Sequence, residues 1–469
     1  MTGSDRINTG VDTTSERHMM SYQAEYRRKL IPPEGAAGLV ESGMWIDYGF
    51  GSGFPLLIDE WLAKRAPELK EVKIRGTMAL DEPQVLRADP GQEHFIYNSW
   101  HFSAIERKYH DRACCSYSPH NFGECPRIYR ELLKDEVDIA FIEVTPMDNH
   151  GNFNFGAAIT EEKAICDVAK RVVVEVNGSQ PWVPGGYDEA IHISHVDYIV
   201  ENNKYEIAEL PPTEVTGTDE EIAHYIVALI EDGATIQLGI GGIPNMVGRL
   251  MIKHGLKDLG IHTEMFTESM ADLIEAGVVT GARKRFSRGK AVHCFAAGTT
   301  RLYRFIDRNP ALAGFPVDYT NNPYYIARNN RQIAINSALK VGLQGQVCSE
   351  SAGYRHISGT GGQLEFVRGA YLSPGGKAFI CLRSTYRDKA GKLRSSIVPN
   401  LDLGDIVTVP RTDVSYIVTE FGVVNLKGKT NWQRAKLLIS IAHPDFRDGL
   451  EKAARKMKLI TRGTANLQP

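Results

Sequence analysis

Hydrophobic positions along the chain fall into short runs separated by amphipathic stretches. "DIAFIEV" (138–144), "RVVVEV" (171–176), "ATIQLGI" (234–240), "AFICL" (378–382) and "SYIVTEFG" (415–422) are rich in β-branched and aromatic residues. Gly, Pro or Asn bound them, so they read as strands. Runs that are apolar on both faces suit strands covered by helices on both sides. The pattern predicts α/β architecture.

The stretch 234–264 reads as one βαβ unit. "ATIQLGI" is a strand, and "GIGGIP" leads into a helix with Pro244 in its first turn. Val247, Leu250 and Met251 recur at helical spacing, and Gly255 can end that helix. "GIHTEM" (260–265) is the next strand. Backbone N–H groups at a helix N-terminus can hold an anion or a developing oxyanion, and small residues let a ligand approach. A tight structural turn explains the glycines equally well. The loop lacks the third glycine and the later acid of a dinucleotide fingerprint, which argues against a dehydrogenase.

Two acids close this unit. Ligands of open parallel sheets sit beyond the carboxyl ends of strands, so Glu264 and the "GIGGIP" loop are expected at one edge. A helix follows, capped by Thr267 or Ser269, with Met270, Leu273 and Ile274 inward, Asp272 in its first turn and Gly277 at its end. Glu268 then has an ordinary duty as a first-turn acid. Glu264 has none. Glu143, Glu350 and Glu420 compete with it as buried acids, and spacing does not rank them decisively.

A second glycine cluster, "HISGTGGQLEFVRGAYLSPGGK" (356–377), reads as a loop followed by a strand "QLEFV". Arg368 and Lys377 could offer charge to a phosphate there; a plain surface hairpin is an equal alternative.

A chain of 469 residues implies two domains. The break is expected at "ELPPTEVTGTDEE" (209–221), where a helix capped by Thr218 or Asp219 begins. The expected division is an N-terminal domain over 20–212 and a C-terminal one over 213–469. The polar segment 1–19 reads as a disordered leader ahead of a native start near Met20. The halves share an order of elements: "FIEVTPMDNHGNFNFG" (141–156) and "INSALKVGLQGQVCSE" (335–350) each run from strand to turn to extended segment. That suits two similar open-sheet α/β halves facing each other across a cleft.

Charge removes some functions. A net charge of -3 gives no electrostatic case for nucleic acid. "RKRFSRGK" (283–290) is the most basic run, a solvated turn or an anion attractor. No window is apolar over the roughly twenty residues a membrane span needs. Seven cysteines without paired spacing argue against a zinc site or a disulfide framework and for reduced thiols in a cytoplasmic protein.

"LGIGGIPNMV", "GIHTEMFTE", "VDYTNNP", "GQVCSES", "SGTGGQLEFVRGA", "YIVTEFGVVNLKGK" and "IAHPDFRDGL" resemble one known family, the class I CoA-transferases. They look most like the branch of butyryl-CoA:acetate and 4-hydroxybutyrate CoA-transferases and acetyl-CoA hydrolases. "NSWHFS" (98–103) and the segment 375–399 look closer to the butyryl-CoA:acetate enzymes, whereas "SPHNFGECPRIYR" (118–130) departs from that subgroup.

The resemblance implies two CoA-transferase domains across an active-site cleft. It implies Glu264 as the nucleophile of a ping-pong reaction through a glutamyl–CoA thioester. Butyryl- or propionyl-CoA would be the donor and acetate the acceptor. A hydroxy acid acceptor or hydrolysis are the alternatives. Gly239, Ile240, Gly241, Gly242 and Ile243 would line the CoA and oxyanion site, with Gly361 and Gly362 from the other loop and Asn336 or Leu339 close by. Lys377 is the candidate phosphate partner. The resemblance implies no permanently bound cofactor, CoA thioester as substrate, no metal, and a homodimer as the expected assembly.

Overall fold

The computed structural model describes residues 13–211 and 213–469. Of the expected leader, residues 1–12 lie outside the described residues. Residues 13–19 are a correction, because they belong to helix α1, Thr13–Lys29. Good helix formers dominate it, and Arg27, Arg28 and Lys29 complement the dipole of its last turn. The helix is also docked: Lys29 Nζ donates to Ile193 O at 2.7 Å.

Two open sheets organise the rest. The first contains β1 (Trp45–Phe50), β2 (Val72–Thr77), β3 (Phe95–Ser99), β4 (Ser116–Tyr117), β5 (Ile139–Val144), β6 (Arg171–Asn177) and β7 (Tyr198–Asn202). Their order is β4-β3-β2-β1-β5-β6-β7, all parallel. The second contains β8 (Thr235–Leu238), β9 (Gly260–Ile261), β10 (Gln332–Ser337), β11 (Lys377–Cys381), β12 (Tyr416–Thr419) and β13 (Gly422–Asn425). Its order is β9-β8-β10-β11-β12-β13, parallel except for the closing hairpin. The run "SYIVTEFG" therefore turns back at its end.

The halves repeat one topology. β2-β1-β5-β6-β7 corresponds in order to β9-β8-β10-β11-β12. The matched sequence segments start on equivalent strands, β5 and β10. Each then turns at a glycine with positive φ, Gly151 at 83° and Gly345 at 100°.

Four further helices matter for the site. α2 (Gly217–Val227) is capped by Thr216, two residues before Thr218. Asp219 is the reciprocal partner in a capping box, accepting from the Thr216 N–H at 2.9 Å. α3 (Gly242–Lys253) buries Val247, Leu250 and Met251, as its period predicts. α4 (Glu268–Glu275) starts after Thr267 and ends near Gly277. Thr267 occupies the cap position without a capping hydrogen bond, and Asp272 falls beyond the first turn. α5 (Gln363–Leu372) corrects the strand expected at "QLEFV". Phe366, Val367 and Ala370 are its buried face, a helical spacing that continues past the short apolar run.

The largest apolar cluster joins the two halves. Phe50 of β1 packs against Phe295 with ring centroids 4.6 Å apart and against Phe122 at 5.2 Å. Among the described residues, no helix is long and apolar enough to cross a membrane.

Candidate active site

Glu264 sits where the chain leaves one sheet for another pairing. β9 stops at Ile261, and Met265–Phe266 pairs instead with Phe295–Ala296. Between them, the Thr263 N–H donates to Val292 O at 3.0 Å, and Glu264 O accepts from the Cys294 N–H at 3.0 Å. The expected continuous strand is thus broken in two, and the break fixes the Glu264 backbone on both sides.

Glu264 Oε2 accepts from Asn321 Nδ2 at 2.6 Å. The Gly362 N–H also donates to this carboxylate. A Cβ built on Gly362 would lie 2.2 Å from Glu264 Oε2, so only glycine permits the approach. Burial pushes the carboxyl up to about 7, against the downward pull of these donors. Asn321, fully buried, ends the single helical turn Val317–Thr320.

The carboxylate faces a cavity of about 70 Å³. Phe50, Met78, Trp100 and Phe122 wall it from the first half, and Phe295 and Gly361 from the second. Trp100 is stacked on Tyr129, whose hydroxyl donates to Asp47 Oδ1 at 2.7 Å. Met78 holds φ 51°, a costly conformation for a side chain of this size. His101 and His120 complete the wall; burial pushes both imidazoles down to about 4, so they are neutral near pH 7.

The "GIGGIP" loop borders two spaces. Ile240 reaches the Glu264 cavity, whereas Gly242 and Ile243 line a larger cleft of about 740 Å³. Gly241 takes φ 122° to start α3. The Gly239 N–H donates to Ile335 O at 2.8 Å, so it serves the sheet. Leu339 lines the cleft with Lys340, Arg383, Tyr386 and Arg387. Arg383 is held by Asp219 through a paired contact of 3.0 and 2.8 Å. Asn336 turns its amide onto Gln237, exchanging two hydrogen bonds of 3.1 Å.

Lys377 is a correction. It opens β11, at the sheet edge opposite Glu264, and lies 3.6 Å from Glu231. Arg368 pairs with Asp413 at 3.1 Å. In "RKRFSRGK", Lys284 turns inward, donating to Ile261 O at 2.7 Å and Lys290 O at 2.8 Å.

The competing acids have structural duties. Glu143 accepts from Gln180 Nε2 at 2.8 Å. Glu350 accepts from Thr360 Oγ1 at 3.2 Å, steadying the second glycine loop. Glu420 accepts from the Ser384 N–H at 2.9 Å. Glu268 is the first residue of α4 and accepts from the Thr299 N–H at 3.0 Å. The residue reading of the sequence did not single out Asn321, Glu365, Arg383 or the aromatic wall.

Residues 14–211 match the model of the acetyl-CoA hydrolase/transferase N-terminal domain, and residues 298–454 that of the C-terminal domain. The chain is 46% identical to a butyryl-CoA:acetate CoA-transferase of Anaerostipes caccae, over 94% of this chain and 99% of that one. The crystal structure of RipA from Yersinia pestis is 37% identical, with TM-score 0.85, over 94% of this chain and all of that one. A 4-hydroxybutyrate CoA-transferase structure from Porphyromonas gingivalis is 33% identical, with TM-score 0.75, over 93% and 100%. The chain belongs to the acetyl-CoA hydrolase/transferase family and is an enzyme of its CoA-transferase type.

Proposed function

We propose that this enzyme moves CoA from butyryl-CoA or propionyl-CoA to a carboxylate such as acetate, with Glu264 as the covalent nucleophile. The Glu264 carboxylate attacks the thioester carbonyl. The C–S bond breaks, and CoA leaves as thiolate from a mixed anhydride. The thiolate then attacks the glutamyl carbonyl, releases the acyl group as its carboxylate, and leaves a glutamyl–CoA thioester. An acceptor carboxylate runs these steps in reverse. Covalent storage keeps the thioester's free energy from being lost to water.

The observation that carries this reading is the setting of Glu264. It is held by Asn321 and Gly362 at the edge of a small aromatic cavity. Excluded water and fixed donors are what a weak carboxylate nucleophile needs. A volume of about 70 Å³ suits a short chain. None of the described residues lining it is Lys or Arg, which disfavours a second carboxylate on the acid. The larger cleft, bounded by the start of α3 and by Arg383 and Arg387, has the size and charge for the rest of CoA. Support for the proposed CoA segment Gly239 to Ile243 comes from Ile240 on the cavity and Gly242 and Ile243 on the cleft, with Gly361 across the cavity.

The neutral imidazoles of His101 and His120 give the wall polar atoms. They favour a hydroxy acid such as 4-hydroxybutyrate as the second reading. We further assign α1 through residue 211 to the first domain and 213–469 to the second, and a cytoplasmic homodimer without a permanent cofactor as the working form.

A donor and acceptor screen tests the reading. Acetate, propionate and butyrate should outpace succinate, with ping-pong kinetics. CoA release at full rate without any carboxylate would instead make the enzyme a hydrolase.

A further inference from the structure

A second carboxylate stands behind the nucleophile. Glu365, in the first turn of α5, is 8% exposed. Its Oε2 accepts from Asn321 Nδ2 at 3.2 Å, and the same nitrogen donates to Glu264 Oε2 at 2.6 Å. Both Glu365 oxygens also lie 3.1 Å from the Gly123 N–H.

An acid in the first turn of a helix ordinarily offsets the helix dipole and faces water. Glu365 does otherwise. It is buried and bonds outside its own helix, to a backbone group of the other half of the chain. That group belongs to the segment that sets His120 and Phe122 on the cavity wall. A second link reinforces the contact: the Phe122 N–H donates to Gly361 O at 3.3 Å. The approach is close enough that a Cβ on Gly123 would lie 2.5 Å from Glu365 Oε1 and 3.1 Å from Asn321 Cβ.

We propose that Glu365 is a positioning residue. It aims the Asn321 amide at the Glu264 nucleophile and fixes the Gly123 segment, so the nucleophile and the acyl-pocket wall are set by one side chain. The pair is also electrostatically linked. Burial, with the charge of Glu264 as a lesser cause, holds Glu365 up at about 8. Two buried carboxylates sharing one amide oppose each other's ionisation. Acylation of Glu264 removes its charge, so the demand on the shared amide changes at each step of the cycle. This inference rests on the reading of Glu264 as nucleophile.

Single-turnover labelling tests it. Wild type, Glu365→Leu, Glu365→Gln and Gly123→Ala are mixed with butyryl-CoA, and the rate of CoA attachment to Glu264 is followed by mass spectrometry. Acetate-to-butyrate selectivity in kcat/KM and the KM for acyl-CoA are measured alongside. Gln can keep the oxygen that accepts from both Asn321 and Gly123. Leu cannot. Glu365→Leu should slow attachment by about tenfold or more, as loss of a buried acceptor that leaves its donors unpaired implies. It should also change selectivity while leaving the KM for acyl-CoA near wild type, and Glu365→Gln should recover most of the loss. Gly123→Ala keeps the Glu365 side chain but sets a methyl against its Oε1, so it should change selectivity in the same direction. If attachment and selectivity stay at wild-type values in the Leu and Ala variants, the inference is overturned. The same holds if Gln is no better than Leu. Absence of any attachment in wild type would instead overturn the reading of Glu264.

Discussion

Gly362 and Glu264 occupy space that a single added carbon would contest. The Gly362 Cα faces the carboxylate so closely that a Cβ would sit 2.2 Å from Oε2 and 2.2 Å from Asn321 Nδ2. The second glycine loop is therefore shaped around the nucleophile. Gly361, at φ 53°, turns the chain into that position.

Gly362→Ala should abolish transfer while the protein remains folded. The clash falls on side-chain atoms of Glu264 and Asn321, and the added methyl can displace them. We expect a loss of about a hundredfold or more in kcat, as for a displaced reacting group. Circular dichroism and thermal melting check the fold. Near-normal kcat would mean that the glycine is not fitted to the carboxylate.

The pH dependence follows from the burial of Glu264. Its carboxyl titrates at about 7, above the ordinary value of 4.5. Only the carboxylate attacks, so kcat/KM for acyl-CoA should rise with pH through neutrality. Stability should move the other way. A carboxyl whose folded value is raised stabilises the fold fully below its unfolded value and loses that contribution as pH rises through about 7. Glu264→Gln should therefore be the more stable protein above neutrality, by about 1–3 kcal/mol. Denaturant titrations on either side of pH 7 measure this. Equal stabilities of the two proteins above neutrality would contradict it.

Met78 offers a handle on chain length. It lines the cavity in a left-handed conformation that glycine adopts freely. Met78→Gly should shift preference from acetate and butyrate toward longer acids, by roughly 10- to 200-fold in relative kcat/KM. Relief of backbone strain should offset part of the stability lost with the side chain. An unchanged acid preference would remove Met78 from the acyl pocket.

Much of the frame was legible in local patterns. The βαβ unit over 234–264, the start of α4 after Thr267, and the ordinary duty of Glu268 all follow from periodicity and capping. Those same rules left Glu264 without a structural task. Other features were not legible. Asn321 lies 57 residues from Glu264 in sequence, and no periodicity announces that contact. Glu365 is hidden because "QLEFV", taken alone, has the look of a strand, whereas it opens α5. That apolar run is too short to separate the two periods, and the deciding residue, Ala370, lies beyond it. The place of Lys377 is illegible for a related reason. Nearness to a glycine loop in sequence says nothing about which end of a strand a residue opens.

The central claim is that Glu264 carries CoA covalently. The direct measurement is intact-protein and peptide mass spectrometry of enzyme mixed with butyryl-CoA and no acceptor. We expect a CoA adduct on the peptide containing Glu264, discharged by added acetate and absent from Glu264→Ala. Full transfer by Glu264→Ala, or an adduct that persists in that variant, would contradict it.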